Sequence, residues 1–98
     1  MSARETHRIL NDDGKVLATS EYTDGMLDGV SRVYTPGGTL VQEMYYVAGQ
    51  LHGQYRTWWE TGLSKESGEF AYGQRIGEYR WYKEDGTLWQ SHNYLAKS

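Results

Sequence analysis

Residues 49–73 read GQLHGQYRTWWETGLSKESGEFAYG, and the spacing of their glycines and rings recurs along the whole chain. Gly14, Gly38, Gly62 and Gly86 lie 24 residues apart; Gly25, Gly49 and Gly73 keep the same period, as do Gly29, Gly53 and Gly77. Ten of the twelve glycines thus fall in three phases of one period, and only Gly37 and Gly68 stand outside it. A ladder of bulky side chains halves that period: Leu10, Tyr22, Tyr34, Tyr46, Trp58, Phe70, Tyr82 and Tyr94 are 12 residues apart. Arg8, Arg32, Arg56 and Arg80 follow the full period, each two residues before a ladder position. Self-similarity at a fixed spacing of this size marks a repeat architecture.

A unit of 12 residues is the length of one short strand and one turn. Asp-Gly and Pro-Gly steps at 13–14, 36–37 and 85–86 are turn signals, because glycine takes positive φ without steric cost. The pattern predicts an all-β fold, a single-layer antiparallel meander of about eight strands near 5–11, 15–24, 29–35, 39–48, 53–60, 63–72, 77–83 and 87–95. It predicts a wide Gly-x-x-x-Gly turn alternating with a tighter one. One repeat domain covers 1–98, with half repeats at 1–13 and 86–98 and full repeats at 14–37, 38–61 and 62–85.

Composition narrows the function. The chain has 98 residues, a formal charge of −3, no cysteine, four Trp, nine Tyr and a single Pro. An acidic balance argues against a general nucleic-acid binder. Absent cysteines remove disulfides, zinc knuckles and cysteine nucleophiles. No apolar run reaches the ~18 residues of a membrane span, and the first residues have no secretory apolar core, so the expected location is cytoplasmic. Neither a phosphate-binding loop nor a dinucleotide fingerprint is present. His7, His52 and His92 are not paired at ligand spacing, and His52 fills a turn slot held by Asp28 and Ile76 in the sister repeats. These features predict no enzyme activity, no cofactor and no metal.

Written as Gly-x3-Gly-x4-aromatic-x3-Gly-x7-aromatic-x2-Gly, the repeat resembles the MORN-repeat variant family, and Tyr22-Thr-Asp-Gly-Met-Leu-Asp-Gly29 resembles its Tyr-x-x-Gly-x-Leu-x-Gly signature. The resemblance covers roughly residues 10–95. It implies a non-enzymatic binding protein. Many bacterial proteins built from this variant are labelled antitoxins, and related eukaryotic repeats serve as scaffolds and membrane-association modules. The third repeat departs from the pattern at Ser64, where its sisters have Val16, Leu40 and Leu88, and at Gly68.

Strict alternation along a strand puts the even-numbered ladder on one face as a structural spine, with the arginine row stacked on its rings. The odd-numbered face then carries rings beyond the structural need: Tyr45, Tyr55, Trp59, Tyr79 and Trp81, with Glu43 and Glu69 beside them. These seven are the candidate partner-binding residues, with Glu78 and Glu84 assisting. The expected partner is a protein, in the first instance a basic toxin effector domain neutralised by an antitoxin or immunity protein. The alternatives are a scaffold, a homodimer through the sheet face or its edges, and packing within a curled sheet.

Overall fold

The computed structural model describes residues 3–94. Eight antiparallel strands form one open sheet in chain order: β1 (Arg4–Leu10), β2 (Val16–Thr23), β3 (Met26–Tyr34), β4 (Leu40–Val47), β5 (Gln50–Trp58), β6 (Ser64–Ala71), β7 (Gln74–Tyr82) and β8 (Leu88–Tyr94). Among the described residues there is no helix. Extents of 38 × 38 × 12 Å are those of a single layer, since two stacked sheets would add about 10 Å in depth.

The turn lengths reverse the expectation. Asp24-Gly25, Ala48-Gly49 and Tyr72-Gly73 are two-residue connections in which both residues have positive φ, 53° and 82°, 49° and 85°, and 48° and 86°. This is the type I′ geometry, whose twist matches that of the flanking strands. The second glycine of each expected wide turn lies inside a strand instead. Gly29 and Gly53, with φ of 114° and 113°, sit where β3 and β5 slip in register against the preceding strand. Such bulges need a residue that tolerates positive φ. Strands β3, β5 and β7 accordingly begin three residues earlier than the glycine spacing suggests.

The other connections, expected to be tight, span five residues: 11–15, 35–39, 59–63 and 83–87. Each closes with the same two backbone bonds. In the first, the Asn11 N–H donates to Lys15 O and the Gly14 N–H to Asn11 O, both at 2.9 Å. Repeats also brace one another, as the Gly49 N–H donates to Leu27 O at 2.7 Å and the Gly73 N–H to Leu51 O at 2.8 Å.

Loop length decides which side chains share a face. Paired residues project to the same side, and a two-residue loop pairs an odd residue with an even one, as in Thr23 with Met26. A five-residue loop would keep parity, as in Leu10 with Val16, but a register shift one residue further in restores the odd–even pairing. The parity facing a given side therefore flips at every strand. The expected even spine does not exist: Tyr22, Tyr46, Phe70 and Tyr94 share one face, whereas Tyr34 and Trp58 pair with Leu40 and Ser64 beside the five-residue turns on the other.

The five residues that are buried among those described, Ser31, Met44, Thr57, Phe70 and Tyr79, lie on the face of Tyr46 and Phe70. We call it the aromatic face. Opposite it runs a row across all eight strands, Arg8, Thr19, Arg32, Glu43, Arg56, Ser67, Arg80 and Ser91, each paired with the next. The periodic arginines thus face away from the core rings, contrary to the stacking expected of them. Arg32 pairs with Glu43 at 2.8 Å, and Arg56 Nη2 donates to Gln54 at 3.2 Å. A single layer leaves this second face open.

Candidate partner-binding surface

The middle of the aromatic face changes character along the sheet. Towards the N-terminus the paired positions are Ser20 and Ser31, whose hydroxyls are 2.8 Å apart. One repeat later they are Met44 and Tyr55. In the third repeat the same phases hold Gly68 and Tyr79. Gly68, outside the glycine period, now has a reason: a Cβ there would overlap the Tyr79 ring, which lies on the bare backbone.

Tyr79 is 0% exposed although the sheet is one layer thick. Its cover comes from neighbours on its own face. The Trp81 ring centroid is 4.7 Å away, Tyr55 6.2 Å, and Phe70 and Tyr94 6.3 Å in edge-on contact. The Arg75 guanidinium lies 4.8 Å from the Tyr79 centroid and within 6 Å of Phe70 and Tyr94. The ring-stacked arginine is therefore Arg75, not a member of the periodic row. The Tyr79 hydroxyl donates to Glu66 Oε2 at 2.9 Å. Burial first, and then the bond to the Glu66 carboxylate, push the phenol well above the ordinary tyrosine range. Tyr55 is raised too, chiefly by burial.

Beyond this cluster, near the five-residue turns, the face opens into an apolar pocket of about 350 Å³ lined by Trp59, Trp81 and Trp89 with Tyr82. Lys65, Glu66, Lys83 and Glu84 complete its wall. The register shifts beside the turns place Lys65 and Trp89 next to Glu66 and Gln90, so their side chains join this rim. Lys65 Nζ stands 4.8 Å from the Trp59 ring centroid. The Trp59 indole N–H is buried and, among the described residues, has no hydrogen-bond partner.

The seven candidate residues do not form one surface. Tyr55, Tyr79, Trp59 and Trp81 come together, but Tyr79 and much of Tyr55 are packed in the cluster. Tyr45, Glu43 and Glu69 belong to the opposite face, because parity flips between β4, β5 and β6. There Glu43 is tied to Arg32, and Tyr45, 37% exposed, lies beside the Gly53 bulge. Sequence reasoning missed Trp89 and the rim charges Lys65 and Glu66. The available signal was that Trp89 replaces Leu17, Val41 and Lys65 of the same phase.

His52 also has a defined task. Its Nδ1 accepts the Tyr72 N–H at 3.2 Å, and Asp28 Oδ1 accepts the Ala48 N–H at 3.4 Å one repeat earlier. The slot thus caps the next repeat's two-residue turn, and His52 stacks on Tyr72 with centroids 4.4 Å apart. Among the described residues no group of three or more His, Asp or Glu could hold a metal ion, and no helix is long and apolar enough to cross a membrane.

Comparison with curated proteins and with solved structures finds no match. A family profile does match, at two places two periods apart: residues 27–48, in β3 and β4, and residues 75–96, which begin in β7, each match the MORN repeat variant.

Proposed function

We propose that the chain is a non-catalytic protein-binding module, and that its partner is a toxin-like effector domain which it neutralises by direct binding. One observation carries the reading: three indoles meet at one open pocket of a sheet that has surface to spare. A compact monomer of 11.3 kDa exposes about 5,700 Å², and this chain exposes 6724 Å². The surplus, about 1,000 Å², is comparable with one partner's share of an ordinary interface. Tryptophan is one of the residue types enriched among the anchors of such interfaces. The antitoxin assignment rests on the labels of other proteins with this repeat and on the acidic net charge, which suits a basic partner. At the pocket Glu66 and Glu84 are balanced by Lys65 and Lys83, so the acidic preference belongs to the net charge of the chain and not to the pocket; Glu43 and Glu69, on the other face, lie outside the docking surface.

The test is calorimetric titration of the protein with the product of a neighbouring gene. Trp89, 64% exposed, can be removed without touching the core. Trp89→Ala and the double change Trp59→Ala, Trp81→Ala should each weaken binding, the double change by several kcal/mol, with thermal melting confirming that the variants fold. Unchanged affinity for Trp89→Ala and for a folded double variant would place the interface elsewhere. A scaffold is the second reading, favoured by the sheet's two free edges.

A further inference from the structure

The two edges of the sheet are chemically unlike. The β1 edge reads RETHRIL and carries Arg4, Glu5 and Arg8, the kind of charge that guards an edge against pairing. The β8 edge reads LWQSHNY and has no Lys, Arg, Asp or Glu. Among the described residues it pairs only with β7, which leaves one side of its backbone unpaired, and Leu88 and Trp89 are 53% and 64% exposed. A seven-residue, uncharged, apolar-bearing edge lacks the usual guards.

We propose that β8 pairs antiparallel with β8 of a second copy of this chain, closing a two-fold dimer with one continuous sixteen-stranded sheet. A two-fold axis perpendicular to the sheet keeps the aromatic faces of the two copies on the same side, so the aromatic face continues across the seam. Self-pairing of β8 sets no like charges opposite one another, which would oppose a cross-strand pair.

The competing arrangement is head to tail, β8 against β1 of the next copy, and it would propagate into a filament. The repeat itself speaks against it. Each odd-numbered strand after β1 meets the strand before it through a bulge whose glycine has positive φ: Gly29, Gly53 and Gly77 at 114°, 113° and 67°. In β1 that phase is Glu5, which strongly disfavours such a conformation. The interface of β1 is thus unsuited to continuing the repeat. The closed dimer needs no such bulge.

Sedimentation velocity of the full chain, from about 1 μM to about 1 mM, tests the proposal. Ser91→Lys with Asn93→Lys puts charge at two exposed positions on the β8 edge, four lysines across the two-fold axis. Thr6→Lys does the same on β1. A monomer–dimer equilibrium that the β8 variant shifts at least tenfold towards monomer, and that Thr6→Lys leaves unchanged, is the expected result, with melting curves showing that both variants fold. Three outcomes overturn it: a monomer throughout the range, a dimer indifferent to the β8 lysines, or assemblies larger than two that Thr6→Lys also disperses. The toxin reading stands or falls separately, since its readout is Trp89→Ala against the partner.

Discussion

Gly68 and Tyr79 show how one missing side chain creates a core in a sheet that has no second layer. Because a Cβ at Gly68 would overlap the Tyr79 ring, Gly68→Ala must push that ring out of its cover of Trp81, Phe70 and Arg75. The expected loss is about 1–3 kcal/mol, the usual cost of overpacking, read from urea unfolding. A loss under ~0.5 kcal/mol would mean the ring can move freely. Tyr79 also makes stability sensitive to base. Its folded-state phenol is raised above the unfolded value, so the full stabilisation is present below the unfolded tyrosine range and is lost as pH rises through it towards the folded value. Unfolding curves should hold steady from neutral pH to about pH 9 and weaken above about pH 10. Tyr79→Phe should reduce that alkaline loss while forfeiting the bond to Glu66. Equal alkaline sensitivity in the two proteins would assign it to other tyrosines.

At the level of elements, the two-residue turns set the register, and they are imperfect. Type I′ turns prefer Asn-Gly or Asp-Gly. Asp24-Gly25 satisfies this, but Ala48 holds φ 49° with no side chain to support it. Left-handed backbone costs an ordinary residue about 1–2 kcal/mol, so Ala48→Asn should raise stability by about 0.5–1 kcal/mol in the same urea measurement. No gain would mean that the strain is relieved in the folded turn. Tyr72, at the equivalent φ of 48°, is a different case, since its ring stacks on His52. The five-residue turns, by contrast, are alike in all four copies, and each is followed by the register shift that turns Lys65 and Trp89 towards the pocket.

On the scale of the whole molecule, packing is distributed unequally over a nearly uniform repeat. Every residue of β1 is exposed, while the buried residues lie in β3 to β7. In a linear repeat each unit is stabilised only by its neighbours, so opening should start at the N-terminal edge. Hydrogen exchange at micromolar concentration should find β1 amides exchanging fastest and those of β5 and β6 slowest. Uniform protection from β1 to β6 would show that the sheet opens as one unit. The surplus exposed area belongs to this scale too, because it arises from having one layer rather than from any single patch.

The sequence alone determined the architecture: glycines in three phases of one period and rings every 12 residues admit strands and turns and little else, and eight strands in chain order followed. It could not determine the faces. That depends on whether a connection holds two residues or five and on a one-residue slip, and a single residue of register reverses every side chain of a strand. The ladder read as one spine is for that reason split between two faces, and the seven candidate residues with it. Nor could the sequence show that Gly68 is a seat for Tyr79 or that Trp89 joins Trp59 and Trp81, because those contacts join residues 8 to 30 positions apart on different strands and turns. Period is a local property, carried by turns. The site is made by register, which only pairing across strands decides.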